Sequence, residues 1–165
     1  MSYVEKLTQD RLKQLVSYDP ESGLIRWAGE KRSRVKIGAL VGSKMKKGYL
    51  RAGIDKRLYM CHVIAWLYVY GDFPEGQIDH INGVKDDNRI SNLRISTPSG
   101  NAQNKKHARS DSKSGLMGAL RSGGSWIARL TTNGETTYLG KFKSPEDASK
   151  AYINAKRRFH PWSTL

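Results

Sequence analysis

Apolar positions at Leu7, Leu12, Leu15 and Val16 recur at helical spacing behind a potential cap at Thr8, so residues 7–18 are expected to form a short amphipathic helix. Asp19-Pro20-Glu21-Ser22-Gly23 reads as a turn, because Pro fixes one dihedral and Gly tolerates positive φ. Leu24-Ile25-Arg26-Trp27 follows as a strand, and the glycine-rich residues 31–48 as a loop with a short strand near 39–41. Residues 49–54 and 57–62 read as two strands joined by the turn Asp55-Lys56. HVIAWLYVY, residues 62–70, is apolar on nearly every face and is expected as a buried helix stopped by Gly71. Short strands at 77–79 and 93–95 enclose a polar loop, residues 82–92, and Thr97-Pro98 opens a helix running to about residue 107.

Residues 109–115, RSDSKSG, read as a linker. Beyond it come three short strands, 116–120, 125–131 and 136–141, with Asn133-Gly134 as the strongest hairpin dipeptide. Ser144-Pro145-Glu146 opens a last helix whose apolar face carries Ala148, Ala151, Tyr152 and Ala155. The expected class is α+β. A first domain, 1–108, combines N-terminal β-hairpins with a ββα unit over 77–107. A linker, 109–114, leads to a second domain, 115–165, with a three-stranded antiparallel sheet on one helix.

Composition adds a partner to this outline. Among 165 residues, 29 Lys and Arg against 15 Asp and Glu give a net charge of +14. A field of that size draws polyanions, and duplex DNA is the most charge-dense common one. Between Lys31 and Arg57 ten basic residues stand against a single acid, Asp55, whereas acids gather at Asp79, Asp86 and Asp87. No apolar run approaches the ~20 residues of a transmembrane helix, and the start MSYVEKLTQD lacks a basic-then-apolar leader. A cytoplasmic location without a membrane partner is expected. The single cysteine, Cys61, rules out an internal disulfide and a multi-cysteine zinc site.

The chemistry concentrates in residues 78–104, IDHINGVKDDNRISNLRISTPSGNAQN. Phosphodiester hydrolysis needs an activated water and a cation to stabilise charge on the phosphoryl and leaving oxygens. Asp79 and Asn101 offer a carboxylate and an amide oxygen, hard donors suited to one Mg²⁺ or Mn²⁺. His80 offers an imidazole titrating near neutrality, suited to taking a proton from water. Asn88, following Asp86-Asp87, could brace the loop, His62 reads as a structural residue of the buried helix or as a phosphate contact, and His107 and His160 as solvated or capping residues.

These residues resemble the HNH endonuclease family, in particular its phage and intron-encoded homing branch. Asp79-His80, Asn92 and Asn101 fall in the places of its motif, and LKQLVSYDPESGLIRW, GYLRAGIDKRLY and HVIAWLYVYGDFPEG extend the likeness over residues 7–104. The resemblance implies a ββα-metal (His-Me finger) unit, Asp79 and Asn101 as metal ligands, His80 as general base, and Asn92 tying the loop and orienting His80. Asn101 stands where many members have His, which points to a hard metal over zinc.

In the second half, Met117-Gly118-Ala119-Leu120, Trp126-Ile127-Ala128-Arg129, Tyr138-Leu139-Gly140-Lys141-Phe142 and residues 146–152 resemble the ethylene-response-factor (APETALA-two) DNA-binding domain. That likeness implies a small sheet laid in the major groove, which is about 12 Å wide. Arg121, Arg129, Thr131, Thr137 and Lys141 are expected at the duplex, Trp126 either stacked on a sugar there or packed in the domain, with Leu120, Ile127, Leu130 and Leu139 or their neighbours toward the helix. Leu120 stands where the family usually has Arg. Lys44, Lys46, Lys47 and Arg51, and in the linker Lys105, Lys106, Arg109 and Lys113, are expected on backbone phosphates. The expected function is a site-directed DNA endonuclease acting on double-stranded DNA without a small-molecule cofactor, as a monomer or weak homodimer. The alternative is a non-catalytic DNA-binding regulator that keeps the nuclease-like fold.

Overall fold

The computed structural model describes residues 7–29 and 36–165. Part of the basic loop expected at 31–48 lies outside the described residues. The chain divides into two compact units, Met1–Ser96 and Thr97–Leu165.

The first unit begins with α1 (Gln9–Leu15), whose N-cap Thr8 accepts from the Arg11 N–H at 3.2 Å. The helix is shorter than its apolar spacing predicts. Val16–Tyr18 leaves it as strand β1 and pairs antiparallel with β2 (Ile25–Trp27). β-Branched and aromatic side chains favour that pleated surface, and the pairing buries Val16, Tyr18 and Ile25. Next come β3 (Ser43–Lys44), β4 (Leu50–Ile54) and β5 (Arg57–Met60), a three-stranded antiparallel sheet in that order. Asp55 and Lys56, between β4 and β5, both have positive φ, 45° and 63°, the conformation of a tight primed hairpin turn.

Helix α2 (Cys61–Tyr70) ends on Gly71, left-handed at φ 87° with its N–H bonded to the Leu67 carbonyl. Cys61, Ile64, Ala65 and Leu67 are buried, whereas Val69 and Tyr70 are exposed, so the helix has an outer side that its uniform apolarity concealed. Leu12, Val16, Ile54, Ile64 and Leu67 form the centre of one core. β6 (Gln77–His80) and β7 (Leu93–Ser96) close the unit as a two-stranded sheet.

The second unit opens with α3 (Pro98–Gln103), capped by Thr97 and ended at Asn104, one turn sooner than expected. β8 (Ala119–Ser122), β9 (Ser125–Thr132) and β10 (Glu135–Phe142) form an antiparallel sheet with β9 central. Residues 116–118, expected as strand, precede it, because Gly118 takes φ +76° against the Tyr152 ring. α4 (Pro145–Phe159) is capped by Ser144, which accepts from the Asp147 N–H at 3.1 Å. Its Ala148 joins Ala119 and Ala128 in a second core. No helix among the described residues is long and apolar enough to cross a membrane.

The β1–β2 turn presses on the loop that precedes β7. A Cβ on Gly23, at φ +71°, would stand 2.4 Å from the backbone nitrogen of Arg89, whereas Gly38, at φ +83°, has nothing within 4 Å. Gly23→Ala should cost about 2 kcal/mol or more and Gly38→Ala only about 1 kcal/mol. Thermal melts of the two variants should therefore rank Gly23→Ala clearly lower.

Candidate active site

The polar loop between β6 and β7 turns back at Asn82-Gly83, and the strands it joins pair with Asp79 opposite Arg94 and His80 opposite Leu93. Neighbouring strand residues face opposite sides, so Asp79 and His80 enter different surroundings. Both Nε and Nη2 of Arg94 donate to the same carboxylate oxygen of Asp79, at 3.0 and 2.8 Å. The pair is sheltered, with side chains 12% and 23% exposed.

His80 is 4% exposed. Its Nε2 lies 3.3 Å from Asn88 Oδ1. The amide group of Asn88 is oriented by Nδ2, which donates to the Asp86 carbonyl at 3.4 Å. An amide oxygen only accepts, so this bond puts the neutral ring's proton on Nε2 and makes Nδ1 its basic nitrogen. The imidazole also meets the His62 ring edge-on at 5.1 Å and the Tyr49 ring at 5.9 Å. Burial lowers the His80 pKa, against the opposing pull of Asn88, Asp79, Asp87 and Asp86. A lowered pKa favours the neutral ring, the form a base requires.

Asn92 holds the loop shut. Its Oδ1 accepts from the Asn82 N–H at 2.9 Å, and its Nδ2 donates to the Asp87 carbonyl at 2.8 Å. Asp87 in turn accepts from Asn82 at 2.7 Å and from Arg89 at 2.6 Å. Arg89 and Asn82 hold its pKa down to about 2. Of the two asparagines expected to brace this loop, Asn92 ties its ends and Asn88 reaches the imidazole. Tyr18 donates to the Asn88 carbonyl at 2.8 Å, so β1 supports the same segment from beneath. Asp86 pairs with Lys44 at 2.6 Å, and Lys85 donates to the Lys47 carbonyl at 3.0 Å.

Asn101 lies on α3 in the second unit, half-buried, with its N–H bonded to the Thr97 carbonyl at 2.9 Å. Among the described residues no three His, Cys, Asp or Glu gather as a metal-binding cluster. A hard divalent ion would instead take a carboxylate and an amide, and Asp79 and Asn101 are of that kind. Sequence reasoning missed Arg94, which only the strand register reveals, and Tyr49, whose ring meets both histidines.

In the second unit the pairing settles which residues share a face. Ala128, opposite Ala119 and Gly140, points to α4. Alternation then puts Arg129, Thr131, Tyr138 and Lys141 on the outer face. Of the expected helix-facing positions, Leu120 and Ile127 are outer and their neighbours Ala119 and Ala128 take the inner face: Ile127 pairs with both Leu120 and Lys141, and Leu120 is 45% exposed. Leu130 is buried and Leu139 packs on the core, as expected. Trp126 also packs on that core, with the Arg121 guanidinium 5.6 Å from its ring centre, and Thr137 shares its parity. Lys46, Lys47, Arg51, Lys105 and Lys113 are exposed and Lys106 half-buried, whereas Arg109 pairs with Asp111 at 3.0 Å. His107 is exposed, and His160 caps α4 with its Nε2 3.0 Å from the Thr131 carbonyl.

The HNH endonuclease family model matches residues 59–103, a stretch that contains Asp79, His80, Asn92 and Asn101. Searches of curated proteins and of solved structures found no match.

Burial, with His80 pushing the same way, lowers the His62 pKa to about 4 from an ordinary 6.5. Between those values the unfolded chain binds the proton and the folded chain does not, so stability rises with pH and is lost on acidification. Urea midpoints should fall between pH 7 and pH 5, by up to about 2 kcal/mol from this group. His62→Phe keeps a ring and should flatten that slope; an unchanged slope would remove His62 as its source.

Proposed function

Taking the HNH endonuclease domain at residues 59–103 as premise, we propose that this protein is a DNA endonuclease of homing or nicking type. It hydrolyses a phosphodiester bond of duplex DNA with one bound Mg²⁺ or Mn²⁺. Asp79 and Asn101 are the ligands to the ion, and His80 is the general base that takes the proton of the attacking water. Asn88 fixes the tautomer of His80, and Asn92 keeps the loop closed around it. When bound, the divalent ion polarises the phosphate and stabilises the leaving oxygen. The observation that carries this reading is a buried imidazole held by an asparagine inside the segment that matches a nuclease family.

The net charge of +14 supports a polyanionic substrate. The outer face of β8–β10 lies against the duplex in this reading, with Arg129, Thr131 and Lys141 as contacts. Arg121, Trp126 and Thr137 support it from the sheet's other side and edge, and Lys46, Lys47 and Arg51 hold backbone phosphates. One such site per chain cuts one strand, so a monomer nicks.

His80→Ala should slow nicking of supercoiled plasmid by about 10²–10⁴-fold in Mg²⁺ or Mn²⁺, with DNA affinity in chelator retained. Equal, metal-independent cleavage by wild type and variant would sink the proposal. Lys141→Ala and Arg129→Ala should each weaken binding in chelator and reduce the salt slope, log affinity against log salt, by about 1. An unchanged slope in both would take the outer face out of the interface.

A further inference from the structure

Lys156 is the largest side chain among those shut off from solvent, 1% exposed, although Arg157 and Arg158 beside it on α4 are exposed. An ammonium in such a place is strongly disfavoured unless it finds partners. No carboxylate pairs with it among the described residues. Its Nζ donates instead to the backbone carbonyl of Lys105 and lies 3.6 Å from Met117 Sδ. Burial, then the charges of Lys105 and Lys106, lower its pKa. An amine so enclosed is not open to a DNA phosphate, so its role is positional.

What it holds is the exit of α3. That helix is a turn and a half long and contains Pro98 and Gly100, so it has little stability of its own. Its buried face, Gly100, Gln103 and Asn104, follows helical spacing. At the same end Thr164 donates to Asn104 Oδ1 at 3.0 Å. Carbonyl groups past a helix C-terminus lack intrahelical donors and carry its negative end, where a cation is favourable. From the other side, His160 ties the end of α4 to the Thr131 carbonyl on β9.

We infer that Lys156 is a positioning residue for the nuclease: by clamping the Lys105 carbonyl it fixes α3, and with it Asn101, to the sheet-and-helix body of the second unit. The inference rests on the reading of Asn101 as a metal ligand.

The test compares full-length wild type, Lys156→Met and Lys156→Arg by amide hydrogen exchange, by direct Mn²⁺ binding followed by electron paramagnetic resonance, and by DNA affinity in chelator. Lys156→Met should speed exchange at the Asn101 and Asn104 amides by about tenfold and weaken Mn²⁺ binding several-fold. The β8–β10 amides and DNA affinity should stay as in wild type, and Lys156→Arg should recover part of the Mn²⁺ binding. Unchanged exchange at Asn101 and Asn104, or exchange raised equally through β8–β10, overturns the inference. If Lys156→Met does not fold, Thr164→Val, which removes the second hold on Asn104, must show the same selective loosening. A wild type that neither binds Mn²⁺ nor nicks DNA would overturn the nuclease reading, while the exchange data would still judge the clamp.

Discussion

The antiparallel register of β6 on β7 is the constraint on which the first unit's chemistry rests. With Asp79 opposite Arg94 and His80 opposite Leu93, the carboxylate gains a guanidinium and the imidazole turns inward beside a buried leucine. A slip of one residue would exchange those faces, leaving a carboxylate among the rings of His62 and Tyr49. Short two-stranded ribbons are marginal alone. This one is pinned by its loop, in which Asn82, Asp87 and Asn92 bond to one another, and by the Ile81 N–H on the Asn92 carbonyl at 2.9 Å.

The loop is costly to build. His80, Asn88 and Asn92 are all buried, and a buried polar group left unpaired costs about 1–3 kcal/mol. Each is paired here, and mostly with another member of the loop. A closed polar network of this kind favours one arrangement strongly, because any other strands several groups at once. Tyr18 and Gly23 complete it from outside: the phenol donates to Asn88, and the missing side chain at 23 lets the β1–β2 turn touch Arg89. The N-terminal hairpin is therefore a foundation for the site's loop, which explains a tyrosine and a glycine that carry no chemistry themselves.

Local signals were readable and nonlocal ones were not. The caps at Thr8, Thr97 and Ser144, the stop at Gly71 and the turns at Asp55-Lys56 and Asn133-Gly134 depend on a few neighbouring residues, and each forms as expected. Val16–Tyr18 reads as helix from its own spacing, because its fate depends on a partner strand. The outer placement of Ile127 goes with its pairing to Lys141, beyond a register shift between Tyr138 and Gly140 that no spacing rule shows, and Leu120 shares that face as the partner of Ile127 on the other side. Asp79 and His80 were legible as chemistry. Arg94 was not, because it needs the strand register; Asn88 was legible as a brace of the loop, but its bond to the imidazole needs the folded loop. Lys156 was invisible for the opposite reason, since a lysine between helix residues reads as solvated.

The acids that looked like a common pocket divide once their partners are known. Asp86 and Asp87 hold Lys44 and Arg89, and those basic side chains are 63% and 47% exposed, so the pairs are screened and contribute little beyond steering the loop. Asp79 and Arg94 are far more sheltered, where removing one partner strands the other's charge. Structural work thus accounts for Asp86 and Asp87, and not for the choice of a carboxylate at 79, where an apolar pair with position 94 would serve the hairpin as well. A sheltered carboxylate next to a neutral imidazole costs stability, and proteins accept such costs where chemistry needs them. That asymmetry is what favours Asp79, among the three acids of this hairpin, as the ligand in the proposed function.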